Sequence, residues 1–363
     1  MTSSEAALDI PEIRNLVGRF LTVNDAISCV RVCKAWSRDF VSLIWNSIDF
    51  NTHTSFEKLD SNVVFKNGNH IRVVKDLGTQ PQLDVLLQST PFMDCSFQHQ
   101  GIIRLEASVD QVFKLDPNIG VSAFGSSLLM HFPNLESWLV YFQEDLAVPI
   151  DLIKTEVKRC CTKLTNIDTW GTRRGILHRF IADAFENLTA ICFAYSELAE
   201  DVVMALLFHS ATIISITAFR GDRKPVERLD FLMEQEQDHF QMSGRTLQLL
   251  MRYCPNLEVL EIEPHLMDID HIEQAQWGCK KLKRLRTMIK DLDTTEKIER
   301  ALQSWTRGRK LKGQRKKHER EEEEKLCQMS DTEDSSIEGR VARHLLAFEN
   351  LEAVWLGTRT WHA

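Results

Sequence analysis

Cys254-Pro255-Asn256-Leu257-Glu258-Val259-Leu260-Glu261-Ile262 is the stretch whose reading decides the fold. It runs as a cysteine or aromatic residue, two residues, an aliphatic anchor, two residues, an apolar residue, one residue, and a last apolar residue. The phrase returns over Phe132–Val140, Cys161–Ile167, Phe185–Phe193, Cys279–Leu285 and Phe348–Leu356, with weaker copies centred on Ile71, Ile102 and Ile213. The anchors stand at 71, 102, 135, 164, 188, 213, 257, 282 and 351, with successive spacings of 31, 33, 29, 24, 25, 44, 25 and 69. Most of these lie near a 25- to 30-residue period. Apolar residues two apart mark a short strand. Helical returns read at Asp151–Val157, Leu198–Phe208 and Thr246–Tyr253. A single unit of this kind cannot bury its own apolar side, so neighbours stack into one continuous core. The expectation is an α/β repeat with parallel strands. The alternative is an irregular α/β domain in which the Asn-Leu pairs coincide by chance.

Two long intervals interrupt the period, and inserts are expected near 220–245 and 291–340. The first carries Arg220-Gly221-Asp222-Arg223-Lys224-Pro225 and the polar stretch Glu234–His239, which read as a surface loop. The second carries the basic run Lys310–Lys317, the acidic run Glu321–Glu324 and the stretch Ser330–Ser336. Blocks of like charge without apolar residues stay disordered or form a solvated helix, and disorder is the expectation here. The basic run matches a nuclear import signal, a pattern also common on solvated segments. Ser330 and Thr332 precede acidic residues and are candidates for phosphorylation, which would add charge to the insert.

Residues 1–50 have a different pattern. Pro11 suits a first helical position, where no N–H is needed. Ile13, Leu16, Val17, Phe20 and Leu21 recur at helical spacing. Thr22–Asn24 break that helix, and Asn24 or Asp25 can cap the next. Ala26, Cys29, Val30, Val32, Cys33 and Trp36 form a second apolar face, and Phe40–Trp45 a third short helix. Three short helices bury little surface alone, so an excess of apolar residues on them marks a partner surface.

Ile10-Pro11-Glu12-Ile13, Val32-Cys33-Lys34-Ala35-Trp36 and Ile44-Trp45 together resemble an F-box over residues 8–50, about one-eighth of the chain. Ile10 stands for the usual leucine, one residue is absent between the proline and the glutamate, and Ala26 replaces a larger aliphatic residue. Placed before the repeats, the segment resembles the plan of F-box proteins with irregular leucine-rich repeats of the fungal type. The repeats are similar to the cysteine-containing subclass. The resemblance implies a three-helix F-box followed by a leucine-rich-repeat horseshoe, with parallel strands inside and helices outside. It implies a non-catalytic substrate receptor of an SCF-type ubiquitin ligase, whose F-box binds the adaptor subunit and, through it, a cullin. The repeats would hold a protein substrate that the sequence does not name. The expected boundaries are 1–50 for the helical module, 51–65 for a linker and 66–363 for the repeats. Ile10, Pro11, Ile13, Leu16, Leu21, Val32, Cys33 and Trp36 are the candidates for adaptor contact or its support, with Trp36 equally suited to holding the helices together. The rival reading makes these helices only a cap on a protein-interaction scaffold.

Composition bounds the remaining classes. Forty-three per cent of the residues are hydrophobic and 26% charged, as in an ordinary globular chain. The net charge of −8 argues against nucleic acid as the principal partner. No apolar run approaches the length of a membrane span. The start, Met1–Arg14, has neither a basic nor an apolar segment of secretory type. Nine scattered cysteines without a CxxC pair read as buried thiols in a reducing compartment, cytoplasmic or nuclear. Trp361-His362-Ala363 follows the last phrase without a helical return, so the array is expected to end short or to pack its last unit against the insert.

Neither a phosphate loop, a GxSxG elbow nor an HExxH pair is present, and no cofactor is expected. The strongest metal candidate is Glu263–His271, where His265 and His271 lie among Asp268, Asp270 and Glu273, and a return loop explains it better. Side chains alternate along a strand. The residues flanking the last apolar positions therefore face away from the core and form the expected substrate groove. They are Leu139, Tyr141, Asp168, Trp170, Phe219, Glu261, Glu263, Arg284, Arg286 and Trp355.

Overall fold

A computed structural model describes residues 10–52, 58–77, 80–88, 98–109, 112, 128–141, 150–170, 177–194, 198–219, 244–273, 277–292, 294–315, 336–356 and 359–362. They pack as two compact units, residues 1–167 and 168–363.

The first unit opens with helix α1 (Pro11–Gly18), which carries proline in its first turn. Thr22, rather than Asn24 or Asp25, caps α2 (Val23–Cys29). Its hydroxyl accepts the Asp25 N–H while the Asp25 carboxylate accepts the Thr22 N–H, so both orphan donors are satisfied reciprocally. The N–H groups of Arg31 and Val32 then close tight turns onto Ser28 and Cys29. Helix α3 (Lys34–Trp45) starts after Cys33. The single apolar face expected over Ala26–Trp36 is thus split by a turn, and its second half belongs to a longer third helix.

Arg14 Nε donates to Asp39 Oδ2 at 2.6 Å and ties α1 to α3. A Cβ at Gly18 would stand 3.0 Å from Leu43 and 3.3 Å from Phe40, so the two helices meet closely there.

Helix α3 runs directly into β1 (Ser47–Asp49) through Asn46, whose carbonyl accepts the N–H groups of both Arg72 and Val73. Strands β2 (Val73–Lys75), β3 (Arg104–Ser108) and β4 (Ser137–Tyr141) follow in chain order, each parallel to the last. Arg72, Ile103 and Glu136 repeat the two-donor carbonyl toward the next rung. β5 (Asn166–Trp170) crosses the boundary between the units. Helices α4 (Ser61–Asn67), α5 (Gln80–Gln88) and α6 (Ile150–Cys160) lie between these strands in the chain.

In the second unit β6 (Ala190–Ala194), β7 (Ser215–Phe219), β8 (Val259–Met267), β9 (Arg284–Ile289) and β10 (Ala353–Leu356) are likewise parallel and in chain order. Thr189, Ile214, Glu258 and Lys283 supply the two-donor carbonyls. β11 (Arg359–His362) turns back antiparallel on β10, so the residues expected to end the array abruptly form its last strand pair. Helices α7 (Leu177–Ala184), α8 (Glu200–Leu207), α9 (Gly244–Tyr253) and α10 (Ile269–Glu273) stand between strands. The protein is therefore an α/β repeat with parallel strands.

The register follows the anchors. Each of the rung carbonyls named after Asn46 sits one residue past an anchor, and all nine anchors are buried. The cysteine or aromatic position three residues earlier is buried as well, at Phe132, Cys161, Phe185, Cys254, Cys279 and Phe348. In the Ile213 unit half-buried Ser210 stands at this position, and His209 one residue earlier is buried, with its Nε2 at 2.9 Å from the Ile181 carbonyl. The residue before the anchor links neighbours. Asn134, Asn256 and Asn350 donate to the carbonyls of Gln100, Ala211 and Lys280 in the preceding unit. Lys163 and Lys281 reach back to the side chains of Asn134 and Asn256.

The insert expected near 220–245 lies outside the described residues up to Gly244. The insert expected at 291–340 requires a correction. Within it Thr295–Arg315 form helix α11, because Ile298, Ala301, Leu302 and Trp305 supply a buried stripe at helical spacing. Its end forms α12 (Ile337–Leu345), capped by Ser336.

Candidate functional site

The described residues present two surfaces that suit partners. The first is on α1. Ile13, Leu16 and Val17 lie about one turn apart on α1, and Phe20 follows in the turn just past its end, so the helix stops short of the Phe20 and Leu21 expected on the same face. That face points outward: Leu16 is 55% exposed and Phe20 82%. The buried positions are Arg14 and Gly18, which meet α3. An amphipathic helix has here placed Arg14 inside and its apolar stripe in solvent, with Glu12 exposed. Ile10, Val23 and Val32 are also exposed, and Pro11 and Cys33 with them. Ile13 and Leu21 are half-buried. Trp36 is half-buried too and packs edge-to-face on buried Phe40, with ring centroids 5.5 Å apart. It supports the helices while keeping one side accessible.

Burying Arg14 without a partner would cost several kcal/mol. Asp39 supplies the partner, and the Arg14 hydrogen bond holds its carboxyl below the usual carboxylate range. This ion pair was not among the sequence candidates. Its only signal is a charged residue on the side of α1 opposite the apolar stripe.

The second surface is the sheet face turned away from the buried strand positions in residues 168–363. Cys192, Thr217, Glu261, Arg286 and Trp355 align across five parallel strands, each directly opposite the next. All five are half-exposed. The predicted residues Glu261, Arg286 and Trp355 are therefore adjacent, and Arg284 stands beside them, exposed, two residues along β9. Arg284 Nε lies 3.2 Å from Glu261 Oε1. Burial lowers the pKa of Arg286. The acids expected at the 257 unit and the cations at the 282 unit are thus cross-strand partners. Lys283 with Glu258 at 2.7 Å and Lys290 with Asp268 at 3.5 Å extend the pairing. Cys192 and Thr217 complete the row and were missed, being small and neutral.

Asp168 is half-exposed on β5. Tyr141, Trp170, Phe219 and Glu263 have strand backbones, but their side chains lie outside the description. Leu139 corrects the expectation. It lies on the predicted face but is only 4% exposed, and its neighbour Glu106 is buried as well. Strands β3 and β4 are buried on both faces, so alternation alone does not expose it. Glu106 is matched there by Lys75 at 3.1 Å and Arg104 at 3.2 Å.

The acidic residues around His271 have partners in the fold. Arg340 on α12 bonds to Asp270 and Glu273 and holds the Glu273 carboxyl low. Asp268 accepts the Asp270 N–H, which lowers its pKa. The His265 side chain lies outside the description. Among the described residues no three potential ligands converge, and no helix is long and apolar enough to cross a membrane.

Compared with known proteins, the chain matches no family model and no curated sequence.

Proposed function

We propose that this chain is a non-catalytic substrate receptor of an SCF-type ubiquitin ligase. In this reading residues 8–50 are an F-box that binds the adaptor, and the repeats are irregular leucine-rich repeats that hold a protein substrate. The outward apolar stripe of α1 carries the proposal. A helix that turns Leu16 and Val17 to solvent, with exposed Phe20 in the turn after it and Arg14 inward, is built for a partner that supplies the missing apolar surface. The aligned row Glu261-Arg286-Trp355 supports the other half, since Trp and Arg are enriched among interface hot spots. The mechanism is proximity. Holding a substrate near a charged conjugating enzyme turns a bimolecular transfer into a local one. The compartment that fits is cytoplasmic or nuclear.

Capture of the SCF adaptor by the intact chain tests the reading. Phe20→Asp and Leu16→Asp place a charge in the apolar contact and should weaken capture at least tenfold, while circular dichroism stays unchanged because neither side chain is buried. A folded chain that binds no cullin adaptor removes the proposal.

One observation favours the rival scaffold reading. Helix α3 passes straight into β1, so the helices are joined to the first rung as a cap would be. Deleting residues 1–33 separates the readings. A cap predicts loss of the cooperative unfolding transition of the first unit; a receptor predicts a repeat array that unfolds as before but no longer captures adaptor.

A further inference from the structure

Residues 300–317 hold eight basic residues and no acidic one, in a chain of net charge −8. Most of this stretch is the second half of α11. Arg300 is paired with Glu338 at 3.3 Å, and Arg309 lies over the Trp305 ring and donates to the Leu351 carbonyl. Arg307 and Lys310 are exposed and have no ion pair among the described residues, and Leu311 beside them is also exposed. Elsewhere in residues 168–363, Lys283, Arg284, Lys290 and Arg340 all have acidic partners.

Topology supplies the occupant. Arg300 meets Glu338, and a Cβ on Gly308 would touch Leu346, so α11 and α12 lie side by side and run in the same direction. The chain must therefore return from Arg315 to Ser336, beside the level of Arg300. Fifteen helical residues make that return roughly 22 Å. Twenty residues reach up to roughly 70 Å when extended, so the connection is long enough for the span. Residues 318–335 contain eight acidic residues and two basic ones. The anionic connection is thus tethered at both ends of the cationic helix face. Short flexible tethers give effective concentrations near the millimolar range.

We infer that the acidic segment Glu319–Asp334 docks in cis along the basic face of α11 formed around Arg307 and Lys310. The contact is electrostatic, so salt weakens it. Phosphate on Ser330 or Thr332 strengthens it by adding one to two negative charges, as an order of magnitude.

The test uses the full chain. Zero-length carbodiimide cross-linking, read by mass spectrometry, should join Lys310 to an acid within residues 319–334, and 1 M NaCl should suppress the link. Heparin then serves as a competing polyanion. The variant Glu321→Gln, Glu322→Gln, Glu323→Gln, Glu324→Gln should bind heparin at least tenfold tighter than the unaltered chain at about 0.15 M salt. A control with Glu12→Gln, Glu186→Gln, Glu349→Gln and Glu352→Gln makes the same change in net charge on exposed residues elsewhere. Its affinity should rise much less. Equal affinities in the variant and this control overturn the inference, and so does the absence of the Lys310 cross-link in a chain whose unfolding transition is intact.

Discussion

Gly278 shows how little space one rung leaves for the next. A Cβ added there would lie 2.4 Å from the Arg252 carbonyl oxygen, which is backbone and cannot swing aside. Gly278 and Cys279 both donate to the Met251 carbonyl, so the segment is pinned to the end of α9. Gly278→Ala is expected to cost about 1–3 kcal/mol. Thermal unfolding would show it as a drop of several degrees, and an unchanged midpoint would mean that the backbone relaxes freely. Arg14 is the second residue whose role depends on what lies beside it. Because its hydrogen bond depresses the Asp39 carboxyl, the pair contributes stability above the ordinary carboxylate value of about 3.9. That contribution is lost as the pH falls through the lower folded value. Protection of the Pro11–Gly18 amides from hydrogen exchange should therefore fall with acidification below about pH 4. Arg14→Met should lower protection at pH 7, by on the order of 3 kcal/mol, and flatten that dependence. The spacing of Ile13, Leu16, Val17 and Phe20 made the helix legible in the sequence but not its orientation. Nothing local told that Gly18 and Arg14 would be the side packed on α3.

At the scale of elements, the repeat phrase was legible because one geometry is imposed on it nine times. The anchor must be apolar to enter the core, and the residue before it faces the neighbouring unit. Asn256 donates to the Ala211 carbonyl at 2.7 Å and accepts from Lys281 at 2.8 Å. Asn256→Ala should cost about 1 kcal/mol for the carbonyl left without its donor. Lys281→Ala should cost less, because its exposed Nζ can return to water. A urea denaturation series on the two variants and their double mutant would reveal the coupling; equal single effects would show that the asparagine does not join the units. The rung at Asn46–Asp49 escaped the phrase because the last turn of α3 holds the anchor position, and helix periodicity hides it. Helix α11 escaped because the charge of Arg307–Lys317 outweighed the four apolar residues before it. Ile298, Ala301, Leu302 and Trp305 are enough to fix a helix once α12 is there to cover them.

For the whole molecule, the proposed function requires two surfaces that fail independently. The α1 stripe belongs to the first unit and the Glu261-Arg286-Trp355 row to the second. Groups this far apart in the chain, with no shared partner, are expected to contribute additively. Phe20→Asp should abolish adaptor capture and leave capture of a substrate by the repeats unchanged. Trp355→Ala should do the reverse. It removes a half-exposed aromatic side chain from the row, and hot-spot truncations of this kind cost about 2 kcal/mol or more, which is roughly thirtyfold in affinity. Arg286→Ala alone has a mixed effect, since it also changes the surroundings of Glu261 and Trp355. The informative measurement is a paired affinity purification of the intact chain and the two variants, with adaptor and co-purifying proteins quantified together. Loss of both classes from Phe20→Asp, in a chain that still melts cooperatively, would mean that the α1 stripe is part of the substrate surface. The two-ended reading would then give way to the single-surface scaffold.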